Sequence, residues 1–173
     1  MGDRLLCRYV YVPGTPATNA PRPYFHPLNS LAGDTLTNFR PNDHPWHHGL
    51  SLTLNSVSGI HFWGGPTQVR GAGYQWLSNH GSQHHLAWTR LESAAGHAVL
   101  AHTLEWRAAG EVLLREERSI EIEVQPPAQS WSLHWRSRLV NASSRELSLG
   151  NPHSAGGLPG SHYTGLQFRG ARE

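Results

Sequence analysis

Val112-Leu113-Leu114-Arg115-Glu116-Glu117-Arg118-Ser119-Ile120-Glu121-Ile122-Glu123-Val124 is the stretch whose reading decides the fold. Val112, Leu114, Ile120, Ile122 and Val124 recur at every second position, and from Arg115 onward the residues between them are charged or small. Only an extended chain turns that period into a single apolar face. Upstream, Ala98, Leu100, His102, Leu104 and Trp106 repeat the alternation, and Ala108-Ala109-Gly110 supplies the turn that joins the two runs. Downstream, Pro126-Pro127 interrupts the pattern before Trp131, Leu133 and Trp135 begin another strand that runs to about Val140.

Toward the N-terminus the same reading continues. Gln68 to Leu77 and Gln83 to Leu91 read as paired strands around the turn cluster Ser78 to Ser82, and Ile60-His61-Phe62-Trp63 closes on Gly64-Gly65-Pro66. From His47, the residues His48, Leu50, Leu52 and Leu54 fall on a core face, and His47, Gly49, Ser51, Thr53 and Asn55 on a small polar one. Arg40 to Trp46 is a loop, Thr35 to Phe39 a short strand, and Arg4 to Val12 a first strand. Tyr24-Phe25-His26, bracketed by Pro21, Pro23 and Pro27, suits only an edge or rim position, because proline removes ladder hydrogen bonds. Short strands at Glu146 to Leu149 and His162 to Arg169 flank a Gly/Pro loop. With no helix, repeat or linker in view, residues 1–173 are expected to form one all-β domain, an antiparallel β-sandwich of roughly ten strands.

Composition narrows the function classes. Glycine and proline total 30 residues and punctuate the chain into short segments, which disfavours long helices. Seven Trp, five Tyr and four Phe concentrate core area in few side chains. No apolar run reaches the ~18 residues of a membrane helix and no secretory leader pattern is visible, so a soluble cytoplasmic protein is expected. Cys7 has no partner for a disulfide and reads as a buried structural thiol. The cations are all arginine and are scattered, which predicts no nucleic-acid partner. Thirteen His would carry the net charge from +2 to +15 on full protonation, so charge changes strongly around pH ~6.5.

The densest chemical constellation is Asp43-His44-Pro45-Trp46-His47-His48-Gly49, one carboxylate and three imidazoles in a loop that feeds a strand. Neighbouring side chains of a strand point to opposite faces, so His47 on the polar face is expected to share a site with His44. Asp43 would orient one of the two rings for proton transfer. His48 reads either as a hydrogen-bonded core histidine or as a ligand contact, and Asp43 either as a turn cap or as a catalytic orienter. Glu116 and Arg118, interrupting the apolar face of their strand, form either a structural ion pair at the mouth of the sheet or a grip on a polar ligand. Trp46, Trp63 and Trp76 serve either as packing or as platforms for a sugar ring. His26, Arg40, His48, Trp63 and Arg118 are therefore the candidate ligand contacts, with His47, His44 and Asp43 as the candidate catalytic set. A metal held by His44, His47 and a distant His26 or His153 is a competing reading, though no known ligand spacing supports it. Nothing matches a phosphate-cradling loop, a nucleophile elbow or a dinucleotide fingerprint, so no cofactor is expected.

Three pieces in this order, Arg22-Pro23-Tyr24-Phe25-His26-Pro27, Asp43-His44-Pro45-Trp46-His47-His48-Gly49-Leu50 and Phe62-Trp63-Gly64-Gly65, resemble the methane oxygenase PmoA-like family. The resemblance implies a supersandwich of the galactose mutarotase type, sugar binding and His-assisted acid/base chemistry. The family label itself implies a metal-dependent oxidoreductase, and a non-catalytic sugar-binding or structural domain is the third alternative. Methane oxidation is not carried over, since the membrane subunit bearing that name needs spanning segments that this sequence lacks. Mutarotase-like enzymes pair a His acid with a late Glu base, and relatives of this kind run past position 173. The resemblance therefore implies an incomplete supersandwich whose base lies further on.

Overall fold

The computed structural model describes residues 4–172. Twelve strands and two single 3-10 turns make up its regular structure: β1 (Cys7–Val10), β2 (Tyr24–Leu28), β3 (Leu50–Thr53), β4 (Ser56–Val57), β5 (Thr67–Val69), β6 (Gly73–Gln75), β7 (Ser82–Ala94), β8 (His97–Ala108), β9 (Glu111–Gln125), β10 (Ser130–Asn141), β11 (Leu149–Gly150) and β12 (Gly165–Phe168). The expected all-β antiparallel sandwich is what the chain forms. One sheet is the meander β10-β9-β8-β7, and the other has the order β1-β2-β3-β12. Among the described residues no helix is long and apolar enough to cross a membrane.

The alternation in β9 sets the register of the meander. Ile120 lies opposite Leu100 on β8 and Trp135 on β10, so three apolar side chains stand side by side on one face. Phe25 and Leu28 from the facing sheet pack on Ile120 and Ile122, while Val57, Phe62, Trp106 and Leu114 form a second apolar cluster. Between them on β9 stand Glu116 and Arg118, both fully buried.

This pair lies inside the sandwich, not at the mouth of a sheet where a ligand could reach it. Arg118 engages Glu116 through two nitrogens, Nε to Oε1 at 2.7 Å and Nη2 to Oε2 at 2.8 Å. Trp106 Nε1 and Ser137 Oγ donate to the same carboxylate, and the remaining Arg118 donors reach Tyr9 Oη and Gln83 Oε1. Since Arg118 donates to the Tyr9 oxygen, the phenol proton is directed to His102 Nε2, 2.9 Å away. Burial and the nearby Arg118 hold His102 down to about 3, so its ring is neutral. Arg118 is thus a structural residue whose every donor group is engaged.

Four local expectations change. β2, expected at an edge or rim, lies between β1 and β3, its prolines leaving the single pair Phe25–Leu50 as its ladder with β3. Gln68 to Leu77 does not pair with Gln83 to Leu91. β5 and β6 form their own small hairpin, and β7 pairs with β8, because a long strand gains far more ladder from a neighbour of equal length. Thr35 to Phe39 makes isolated bridges in place of a strand. In β3 the small polar residues Ser51 and Thr53 are fully buried while Leu50 and Leu52 are half-buried. Gly49, with φ +50°, bends the chain before β3, and a Cβ there would overlap the Phe25 carbonyl oxygen.

Glu116→Gln is expected to destabilise the protein by ~3–5 kcal/mol in urea unfolding at neutral pH, because it leaves the Arg118 charge buried without its counter-ion. Arg90→Gln, which removes one half of an exposed pair with Glu92, should leave the unfolding midpoint unchanged. Equal effects of the two would mean that the buried pair is not holding the sheets together.

Candidate functional site

A cleft of about 590 Å³ opens between the loop carrying His44 to His47, the segment from His61 to Pro66, the tip of the β5–β6 hairpin and the C-terminal strand β12. His44, Trp46, His47, His61, Trp63, Tyr163 and Arg169 are among its walls. Its volume is in the range of small-ligand sites.

Local hydrogen bonds explain how the first wall forms. His47 N–H donates to the His44 carbonyl at 3.0 Å, closing a turn that brings residues three apart onto one side. The two imidazoles consequently stack, with centroids 4.8 Å apart and planes 22° from parallel. Trp63 meets His47 edge-on at 5.8 Å and Tyr163 at 5.0 Å. Trp46 lies against the backbone of Gly65, where a Cβ would overlap its ring, and Gly65 also has a positive φ of 77°.

Behind this wall Arg22 is fully buried. Its guanidinium donates to the carbonyls of Asn19, Ala20, Trp46 and Trp63, to Ser51 Oγ and to Gln167 Oε1, at 2.8–3.1 Å. None of these acceptors is a carboxylate. Burial lowers the Arg22 pKa to about 9, which still leaves it charged at neutral pH. Asn19 Nδ2 donates to the Pro45 carbonyl at 2.7 Å, so the 3-10 turn Ala17–Asn19 and Arg22 together tie both Trp-bearing segments to β3 and β12.

Strand β12 brings the last component. It pairs antiparallel with β3, and Arg169 N–H extends the ladder by donating to the Gly49 carbonyl at 2.7 Å. Arg169 therefore arrives beside His47, where its Nη1 donates to His47 Nδ1 at 3.4 Å and its Nη2 lies 3.2 Å from both Asp43 oxygens. Arg172 Nη2 reaches Asp43 Oδ2 at 2.5 Å. His44 Nδ1 is 2.9 Å from Asp43 Oδ2, but the carboxylate lies off the ring-nitrogen axis, so the contact is close without being an aligned hydrogen bond. His44, Arg172 and Arg169 together hold the Asp43 carboxyl well below the usual carboxylate range.

Both deeper imidazoles are neutral at pH 7. Burial, followed by the charges of His44, Arg169 and Arg22, lowers His47 to about 4, and burial with His80 and Arg22 lowers His61 to about 4. With Arg169 donating into His47 Nδ1, the ring proton of His47 belongs on Nε2. Asn55 Nδ2 stands 3.3 Å from His61 Nε2, which places the His61 proton on Nδ1, a buried donor with no partner among the described residues. The cleft thus offers the neutral His47 N–H donor, aromatic faces and a guanidinium.

Of the sequence-derived candidates, His44, His47 and Trp63 line the cleft and Asp43 backs it. The other four do not line it. His48 is fully buried between Tyr24 and Phe39, at 5.3 and 5.4 Å, with neither ring nitrogen paired among the described residues and its pKa lowered by burial and Arg22 to about 2. His26 stacks on Phe39 and bonds Thr37 Oγ1 at 3.0 Å. Arg40 is exposed and donates to the Pro45 carbonyl. Arg118 belongs to the sandwich interior. Among the described residues no three His, Cys, Asp or Glu side chains converge to hold a metal ion. Arg22, His61, Gln167 and Arg169 escaped the sequence reading. Arg22 lay within a quoted motif and His61 directly before another, but Gln167 and Arg169 reach the site through strand pairing that no spacing announces.

Stability should depend on pH through these rings. His47, His48, His61 and His102 are all depressed in the fold, against ~6.5 in an unfolded chain, so between these values the unfolded chain binds more protons. Stability is complete above about pH 6.5 and falls as pH drops toward about 4. Urea midpoints measured from about pH 7.5 to about pH 5 should decline with a slope of more than one proton per unfolding event. A flat profile would mean that these imidazoles are not buried in the neutral form.

Comparison with known proteins adds a family and no activity. No curated protein and no solved structure matches the chain. A family model described as a family of unknown function (DUF6807) matches residues 1–173, and that description makes no reference to a methane oxygenase. With the whole chain covered, the protein belongs to the DUF6807 family of unknown function.

Proposed function

We propose that the cleft binds a carbohydrate and that His47 and His44 act on it, His47 as a hydrogen-bond donor to a ring or hydroxyl oxygen and His44 with Asp43 as the proton-transferring pair. One observation carries this reading: aromatic faces, the neutral His47 N–H and a guanidinium share a single small cleft. Sugars present apolar C–H faces that pack on aromatic rings and hydroxyls that need directional donors. Trp63, Trp46 and Tyr163 supply the former, and His47 Nε2 and the Arg169 guanidinium the latter. Tyr74, also in the wall, and Trp76, against Trp46 at 6.0 Å, are both well exposed, which suits a sugar chain that extends past the first ring.

The resemblance to PmoA-like and mutarotase-type sandwiches supports the same reading, as does the all-β sandwich itself, although a fold alone licenses no substrate. The Asp43 carboxylate, 2.9 Å from His44 Nδ1, stands close enough to assist that imidazole once the ring turns into line with it, which is what proton transfer at an anomeric carbon would use. Among the described residues no carboxylate lines the cleft itself. The protein is proposed to bind a small soluble sugar in the cytoplasm and to work without a cofactor.

A panel of hexoses, pentoses and their acidic derivatives, followed by thermal shift and calorimetry, tests it. At least one sugar should bind, and His47→Ala should weaken it at least ~tenfold without a comparable loss of melting temperature. For the bound sugar, wild-type protein should also accelerate anomer exchange seen by NMR, and His44→Ala should slow it. No sugar bound at about 10 mM would overturn the proposal, since such weakness lies below useful affinity.

A further inference from the structure

Resting on the carbohydrate reading, we infer that the sugar is an acidic one, its carboxylate or phosphoryl oxygens received by Arg169 in the positive field of the buried Arg22. The charge inventory around the cleft is one-sided. Arg22, Arg40, Arg169 and Arg172 converge on the loop from Pro41 to His47, and the carboxylate bonded there is Asp43. Among the described residues no Asp or Glu lines the cleft, whereas Arg169 does.

The buried guanidinium matters most. A charge removed from water is normally matched by an opposite one, but all six Arg22 acceptors are neutral oxygens, so its field is not cancelled locally. The same field contributes to the depressed pKa values of His47 and His61, the two deeper rings of the cleft. An anion entering there gains what a proton on those rings loses.

Arg169 is the group placed to touch it. Asp43 and His47 take up both of its Nη atoms on one side, while its Nε has no partner among the described residues. Arg172 shares the charge of Asp43, which leaves Arg169 under-compensated. Asp43 on this account positions the guanidinium as well as His44. A planar guanidinium held by its own carboxylate keeps its remaining N–H groups in fixed directions, the geometry suited to a carboxylate or phosphoryl group.

The test compares glucose, glucuronate and glucose 6-phosphate by calorimetry, extended to the galactose series, with acetate and inorganic phosphate as ions lacking a sugar ring. At least one acidic sugar should bind ~tenfold or more tightly than its neutral parent, with the preference shrinking between about 20 mM and about 500 mM salt. The two acidic arms tell carboxylate from phosphoryl recognition. Arg169→Gln should bring the acidic-to-neutral affinity ratio toward one, and Arg169→Lys, which keeps the charge, should retain part of it if the glutamine variant folds poorly. Neutral parents binding as well as both acidic sugars would overturn this inference and leave the carbohydrate reading standing. Acetate or phosphate bound with no sugar of either kind would overturn both.

Discussion

The guanidinium of Arg22 is buried with only neutral oxygens around it, and the working face of the protein depends on that constraint. A desolvated cation tolerates burial only if its N–H groups all find acceptors. Here the acceptors are backbone carbonyls of four residues and two side chains from β3 and β12, so satisfying one side chain fixes several otherwise independent segments. The Trp46 and Trp63 carbonyls are held by the same group, and their indoles shape the cleft. Support and electrostatics come from one residue.

Arg118 shows the other solution to the same problem. It too is fully buried, but a carboxylate two residues along its own strand neutralises it, and the surplus donors reach Tyr9 and Gln83. That pair is inward-looking and splits the apolar interior into two clusters. Arg22 lacks such a partner, and the field it leaves behind extends to the imidazoles of the cleft. The contrast explains why one buried arginine belongs to the scaffold and the other conditions the site.

The meander from His97 to Asn141 was legible because period-two alternation over a dozen residues has one extended solution, and the turn at Ala109-Gly110, both at positive φ, is what the Ala-Ala-Gly run announced. The pairing of β7 is not legible, because the stretch before it folds back on itself as the β5–β6 hairpin and leaves Trp76 and Leu77 exposed outside any strand. At β3 the residues that read as a small polar face, opposite the core face of Leu50 and Leu52, are the sealed ones, since Ser51 accepts from Arg22 and Thr53 donates to the Phe62 carbonyl. Small polar residues look solvent-bound in a sequence unless the group that satisfies them is known.

What the sequence determined alone was local: alternation, turn chemistry, and a short loop dense in imidazoles in which His44 and His47 lie one turn apart. Those depend on residues near in the chain, whose geometry follows from backbone sterics. What only the tertiary structure decided was which groups meet across the chain. His48 was sealed against Tyr24 and Phe39, Arg118 was drawn into the core, and Arg169 was carried to His47 by a ladder joining strands more than a hundred residues apart. Long-range pairing follows from the combined burial of whole faces, a property that no single stretch of sequence contains.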